Sequence, residues 1–255
     1  MTIAGDRVYN VTIVLRKDTY MSIKVVLFDL DGTLLPMDQE LFTKCYFKYL
    51  SANLSKFGYE PQKLIAAVWS GTMSMIKNDG QHTNEEVFWA AFAKIFGDKV
   101  YADKALFDKF YIDDFDKIIE SCGYNEKAAE TIATVKEKGL RIALATNPIF
   151  PAIATRKRIA WAGLGVEDFE LYTTYENSSY CKPNPDYYKE IVKQLGVKPE
   201  ECLMVGNDVS DDMVTEALGM KTFLLTDCLI NKDNVDINRY NNGDFNDLIN
   251  YIKNL

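Results

Sequence analysis

The sequence predicts an α/β protein, a doubly wound parallel sheet with an all-helical domain inserted behind its first strand. Three observations carry this expectation. Short apolar-rich runs recur at residues 25–28, 141–145, 170–173, 202–205 and 222–225, as expected of strands covered on both faces. Helical patterns at 126–138, 150–162, 185–195 and 211–218 alternate with them, as the crossovers of a parallel sheet require. Between Pro36 and Cys122 the alternation stops, and helical patterns follow one another.

Taken in order, the first run, Val25-Val26-Leu27-Phe28, is closed by Asp29-Leu30-Asp31-Gly32-Thr33. Right-handed crossovers bring all strand carboxyl ends to one edge, where open α/β sheets bind ligands. Asp29 and Asp31 are therefore expected at that edge, with Gly32 allowing a sharp turn. The inserted helices are expected at 41–57, 61–77, 83–96 and 104–121, with Gly58, Gly80 and Gly97 at breaks. Asn84-Glu85-Glu86 supplies an acidic first turn, which suits the positive end of a helix dipole. Trp69, Phe88, Trp89, Phe92 and Phe96 form apolar stripes for the core of a small bundle. An insertion at this point is placed to act as a lid.

Beyond it, the helix at 126–138 stops at Gly139, and the strand at 141–145 ends in Thr146-Asn147. A threonine there can donate a hydrogen bond to an anionic oxygen. Cys181-Lys182-Pro183-Asn184-Pro185 puts a lysine just before a helix, with Asn184 as N-cap and Pro185 as the first helical residue. The strand at 202–205 runs into Gly206-Asn207-Asp208, and Asp211 and Asp212 follow at a helix start. The Asn- and Asp-rich stretch 231–247 reads as a loop before a last helix at 245–252.

This reading divides the chain into an appendage at 1–20, a Rossmann-like core at 21–36 and 123–255, and a helical cap at 37–122. The appendage holds an apolar-rich stretch at 8–15 that is short and lacks a small-residue cleavage site, so it makes a poor signal peptide. Met21 directly precedes the first strand, so the expectation is either that Met21 is the natural start or that residues 1–20 are an appendage outside the core.

Composition excludes several functions. A net charge of −8 over 255 residues argues against a partner such as nucleic acid, whose binding rests on clustered Lys and Arg. The five cysteines form no CxxC pair and are expected as free thiols in a reducing, cytoplasmic compartment. Cys181, beside Lys182, is expected to be a bystander. His82 is the only histidine, so no histidine-built metal site can form and any Ser-His-Asp triad would have to use it; it is expected at the surface. No apolar run approaches the roughly 20 residues of a membrane span.

Packing Asp29, Asp208 and Asp212 together is repulsive unless a cation intervenes. Hard oxygen donors beside a phosphate suit Mg2+. With these segments in hand, the chain resembles the haloacid dehalogenase-like superfamily of phosphohydrolases over about residues 24–225. Asp29 to Thr33 meets its DxDGT signature, and Thr146, Lys182 and the Asp208/Asp212 pair follow in the order of its other motifs. The resemblance implies a Mg2+-dependent phosphatase acting on a small phosphorylated metabolite. In that reading Asp29 is the nucleophile and Asp31 the general acid and base. The metal is held by Asp29, Asp208 and the main-chain carbonyl of Asp31. Thr146, Asn147 and Lys182 bind the phosphoryl group, and Asp212 orients Lys182 or the metal's water shell. Two alternatives share the scaffold, a phosphomutase and a binding protein without turnover. Residues 34–38 lack the histidine that such mutases tend to carry.

Overall fold

The computed structural model describes residues 22–255, so the expectations for 1–20 and Met21 lie outside the described residues. The sheet is built from β1 (Val25–Phe28), β2 (Arg141–Leu144), β3 (Leu171–Tyr172), β4 (Cys202–Gly206), β5 (Lys221–Leu225) and β6 (Asn241–Gly243). Its order is β3-β2-β1-β4-β5-β6, and every pairing is parallel. From β1 the chain first winds outward to β2 and β3, then returns to the other side of β1 for β4, β5 and β6. The carboxyl end of β1 is therefore the topological switch point, where open α/β sheets bind ligands.

Period-two alternation sorts the strand side chains. Val26, Phe28, Ile142, Leu144, Leu203 and Val205 face one apolar cluster; Val25, Leu27, Ala143 and Met204 face another. The first face is covered by α5 (Lys127–Glu137), α6 (Ala152–Trp161) and α8 (Phe245–Lys253), through Ile132, Ile159 and Leu248. The second is covered by α7 (Pro185–Leu195), through Tyr187, Tyr188 and Ile191. As the sequence predicts, Asn184 caps α7, its side chain accepting from the Asp186 N–H, with Pro185 at the first turn.

Between β1 and α5 lie α1 (Gln39–Leu54), α2 (Pro61–Ile76), α3 (Asn84–Phe96) and α4 (Lys99–Asp113). They pack around their own cluster, which includes Phe42, Leu50, Leu64, Phe92 and Phe110. The acidic start of α3 is a capping box: Thr83 accepts from the Glu86 N–H, and Glu86 reaches back to the Thr83 N–H at 2.9 Å. The segments leading into and out of these helices run side by side. Met37 and Cys122 form an antiparallel bridge, and the Gly123 N–H donates to the Pro36 carbonyl at 2.7 Å.

Four expectations need correction. The helix expected at 104–121 starts earlier, as α4 at Lys99, and breaks at Asp114, after which Phe115–Ser121 is a 3-10 helix. That expected at 41–57 starts at Gln39 and gives way to the 3-10 turn Ser55–Phe57. The acidic segment expected as a helix at 211–218 is a 3-10 helix, Met213–Leu218, because Asp208 and Asp212 are engaged in a tight turn before it. The loop expected at 231–247 contains the edge strand β6, which pairs through its main chain with β5.

Candidate active site

The switch point gathers residues from four loops. β1 ends in Asp29, buried, and the chain turns at Gly32, whose φ of 86° falls in the left-handed region. A Cβ on Gly32 would stand 2.4 Å from the Asn207 side-chain nitrogen, so the turn after β1 and the turn after β4 fit only because Gly32 has none. Thr33 locks the two together: its hydroxyl lies 3.1 Å from an Asp29 carboxylate oxygen and 3.0 Å from the Asn207 amide oxygen.

Lys182, just before α7, is 3% exposed. Its ammonium donates to Asp29 and to Asp212, each at 2.7 Å. Burial alone would lower the Lys182 pKa, but Asp212 and Asp29 together lift it well above the ordinary lysine value, so it stays cationic. The other Asp212 oxygen accepts from the Asp208 N–H at 3.0 Å. Gly206 lets Asp212 come this close, since a Cβ there would fall 2.1 Å from its carboxylate. Asp208 accepts from the Ser210 and Asp211 N–H groups through one oxygen, at 2.8 and 3.0 Å.

Thr146, at the end of β2, is pinned by its main chain. Its carbonyl accepts from Thr173 at 2.6 Å and from the Tyr187 hydroxyl at 2.8 Å. Its own hydroxyl is buried without a hydrogen-bond partner. Asn147 beside it accepts from the Lys182 N–H at 3.3 Å. All the residues singled out in the sequence, Asp29, Asp31, Thr146, Asn147, Lys182, Asp208 and Asp212, line one cavity of about 320 Å³, whose far wall is made by the inserted helices.

Sequence reasoning missed Arg158. It is fully buried on α6 and donates to one Asp31 carboxylate oxygen, while its guanidinium lies 4.7 Å from the Phe150 ring centre. The other Asp31 oxygen is buried without a partner. Burial pushes the Asp31 carboxyl upward, against the pull of Arg158 and with the help of Asp29. A signal for Arg158 was present: Ala154, Arg158 and Ala162 recur four apart on one face, so the arginine interrupts an apolar stripe.

Other expectations are settled by surroundings. His82 is exposed beside Glu86. All five cysteines are free, and burial pushes the Cys181 thiol up to about 12, as befits a bystander. No helix among the described residues is long and apolar enough to cross a membrane.

The fold and the cluster at its switch point fit a hydrolase with a Rossmann-like parallel core. A family model described as haloacid dehalogenase-like hydrolase matches residues 23–218, and the chain belongs to that family. The family match and the pyrophosphatases among its relatives support a hydrolase of the phosphatase kind. Similar curated proteins include the pyrophosphatase PpaX of Halalkalibacterium halodurans, 25% identical over 202 residues, which span 79% of this chain and 83% of that protein. PpaX of Bacillus cereus strain B4264 is 26% identical over 209 residues, covering 79% and 82%. Among solved structures, a HAD phosphatase from Thermococcus onnurineus superposes with a TM-score of 0.56 at 20% identity, covering 90% of this chain and 98% of that one. A predicted phosphoglycolate phosphatase from Haemophilus somnus gives 0.55 at 19% identity, covering 90% and 97%. These structural likenesses speak to the fold.

Proposed function

We propose that the protein is a Mg2+-dependent phosphohydrolase that cleaves a small phosphorylated metabolite through an aspartyl-phosphate on Asp29. One observation carries the reading. A buried, permanently charged Lys182 holds the Asp29 carboxylate at 2.7 Å, within a cluster whose Thr146 hydroxyl is buried without a partner. A buried donor without an acceptor costs about 1–3 kcal/mol. A phosphoryl oxygen would satisfy it.

In the first half-reaction an Asp29 oxygen attacks phosphorus, forming the acyl-phosphate bond as the bond to the leaving oxygen breaks. Asp31 delivers its proton to that oxygen. In the second half-reaction Asp31, now a carboxylate, takes a proton from water, which attacks and frees phosphate and Asp29. Lys182 offsets the negative charge gathered on the transferring group, and Thr146 and Asn147 bind its oxygens. Asp212 holds Lys182 in place, and Arg158 fixes the position of Asp31.

The donor set fits Mg2+. Among the described residues no three acidic, cysteine or histidine side chains form a ready cage. Mg2+ commonly takes only one or two carboxylates plus water and phosphate oxygens. Asp29 and Asp208 supply the carboxylates, and the Asp31 main-chain carbonyl accepts no hydrogen bond among the described residues. When bound, the ion would neutralise charge on the transferring phosphoryl group.

The paired segments at Pro36 and Gly123 suit a lid that opens for substrate and closes to exclude water. Pyrophosphate, the substrate in the relatives' name, is one compound to test. The experiment is phosphate release from para-nitrophenyl phosphate with Mg2+, followed by mass spectrometric location of a trapped acyl-phosphate. Release without any phosphorylated Asp29 would sink the covalent route; no release at all would sink the reading.

A further inference from the structure

The wall opposite Asp29 is unsuited to a second anion. Ten aromatic side chains line the cavity. Among the described residues, the inserted helices place one charged group on it, the carboxylate of Asp108. Tyr46 and Tyr111, which could have offered hydroxyls to a polar substrate, bond to each other at 2.9 Å. The whole lining carries six aspartates against two lysines, Lys182 and Lys232, both from the sheet domain. Lys182 is already shared between Asp29 and Asp212. One divalent cation and one phosphoryl group leave that excess of negative charge in place. An anionic leaving group such as phosphate or a carboxylate would then meet aromatic rings and Asp108, with no cation to replace its water.

Two details indicate what does fit. The Trp89 indole N–H is buried and lies against the Tyr175 hydroxyl, so this part of the wall presents ring surface to the cavity rather than a free polar group. At the mouth, Phe47 and Trp69 stand as a tilted pair 5.6 Å apart, and Trp69 is 48% exposed, leaving ring area free for stacking. Aromatic rings at such spacings attract one another beyond what their buried area alone supplies.

We infer that the cavity selects phosphate monoesters whose leaving group is an uncharged aromatic or heteroaromatic body, and that it discriminates against inorganic pyrophosphate and phosphorylated carboxylic acids. The inference rests on the phosphohydrolase reading and narrows it. Aryl phosphates and nucleoside 5′-monophosphates share this chemistry; the test separates them.

The test uses the full chain with Mg2+. Binding to the Asp29→Asn protein is measured by calorimetry, so that leaving-group reactivity plays no part. One set of probes is phenyl phosphate, a nucleoside 5′-monophosphate and pyridoxal 5′-phosphate. The other is pyrophosphate, 2-phosphoglycolate and glycerol 3-phosphate. The first set should bind at least tenfold tighter, with its best member telling aryl from nucleoside substrates. Equal or tighter binding of pyrophosphate or phosphoglycolate, or no binding by any aromatic monoester, overturns the inference. Selective binding with no turnover by the wild-type protein would instead overturn the phosphohydrolase reading alone. Trp69→Ala, at an exposed position that spares the fold, should cut the aromatic-to-glycerol affinity ratio about threefold to tenfold. An unchanged ratio in Trp69→Ala overturns it as well.

Discussion

Arg158 and Asp31 form a buried ion pair that uses one carboxylate oxygen and leaves the other free and unpartnered. The arginine thus fixes the side chain expected to move protons without occupying both its oxygens. Arg158 lies on α6, 127 positions away in sequence, so the acid-base group is aimed by the sheet domain itself.

Arg158→Met should therefore affect stability and catalysis differently. Removing one partner of a buried pair typically costs about 3–5 kcal/mol; Asp31, at 23% side-chain exposure, can be partly rescued by water, so the loss should fall at or below the low end. A misplaced acid-base group should slow turnover about 10²-fold or more, with alkyl phosphates losing more than nitrophenyl phosphates. Thermal unfolding and single-turnover kinetics on both substrates check this. Equal losses on the two would show that Arg158 does not act through Asp31.

Asp29→Asn should abolish turnover while the protein stays folded, because Lys182 keeps Asp212 as its partner at 2.7 Å. Lys182→Met should do the opposite to the fold. It strands Asp29 and Asp212 as buried carboxylates, a loss on the order of 3–5 kcal/mol. Denaturant midpoints of the two variants give the comparison; a Lys182→Met protein as stable as Asp29→Asn would contradict the picture of a lysine held between two acids.

Most of this site was legible in the sequence because its residues sit within a few positions of strand ends. Asp29 and Asp31 follow β1, Thr146 follows β2, and Asp208 follows β4, so predicting the strands also predicted the edge. Arg158 was hidden because Thr155-Arg156-Lys157-Arg158 reads as a solvated basic turn, and only its four-residue spacing from Ala154 and Ala162 sets the buried arginine apart from its exposed neighbour Arg156. β6 was hidden for a different reason. Asn241-Asn242-Gly243 has no apolar side chain to advertise a strand, and main-chain bonds to β5 define it. The turn after Asp208 was mistaken for a helix because three aspartates suit a helix start, whereas here Asp208 and Asp212 bind main-chain N–H groups and Lys182.

Metal removal should silence the enzyme. Excess EDTA is expected to abolish phosphate release, Mg2+ to restore it, and Ca2+ to restore it poorly, because it tolerates more ligands and a looser geometry. Two aspartates should then separate by readout. Asp208→Ala should raise the Mg2+ concentration needed for half-maximal rate more than Asp212→Ala does. Asp212→Ala should cost more stability, since Asp212 is 1% exposed and bound to both Lys182 and the Asp208 N–H. Full activity in EDTA, or the same ranking in both assays, would count against these assignments.

Gly32→Ala tests the fit between the two turns. The substitution forces an L residue to φ 86° and drives its methyl into Asn207, whose amide also donates to the Cys228 carbonyl at 2.7 Å. Strain of this kind costs about 1–3 kcal/mol, and Asn207 must yield with it. A lowered melting temperature with reduced kcat is expected. An alanine variant with wild-type stability and rate would mean that the loops are looser than drawn.

The bridge between Met37 and Cys122, with Pro36 and Gly123 bonded beside it, has a mechanical consequence. An insertion tethered at two distant points can only bow; one tethered where its two ends touch pivots like a door on a single jamb. The jamb stands a few residues from Asp31. At the other side the Asn84 and Glu85 N–H groups at the start of α3 donate to the Ser178 and Tyr175 carbonyls, as a latch does. With that latch released, a small rotation at the jamb would sweep the far ends of the inserted helices through a wide arc, while the carboxylates next to the axis would scarcely travel.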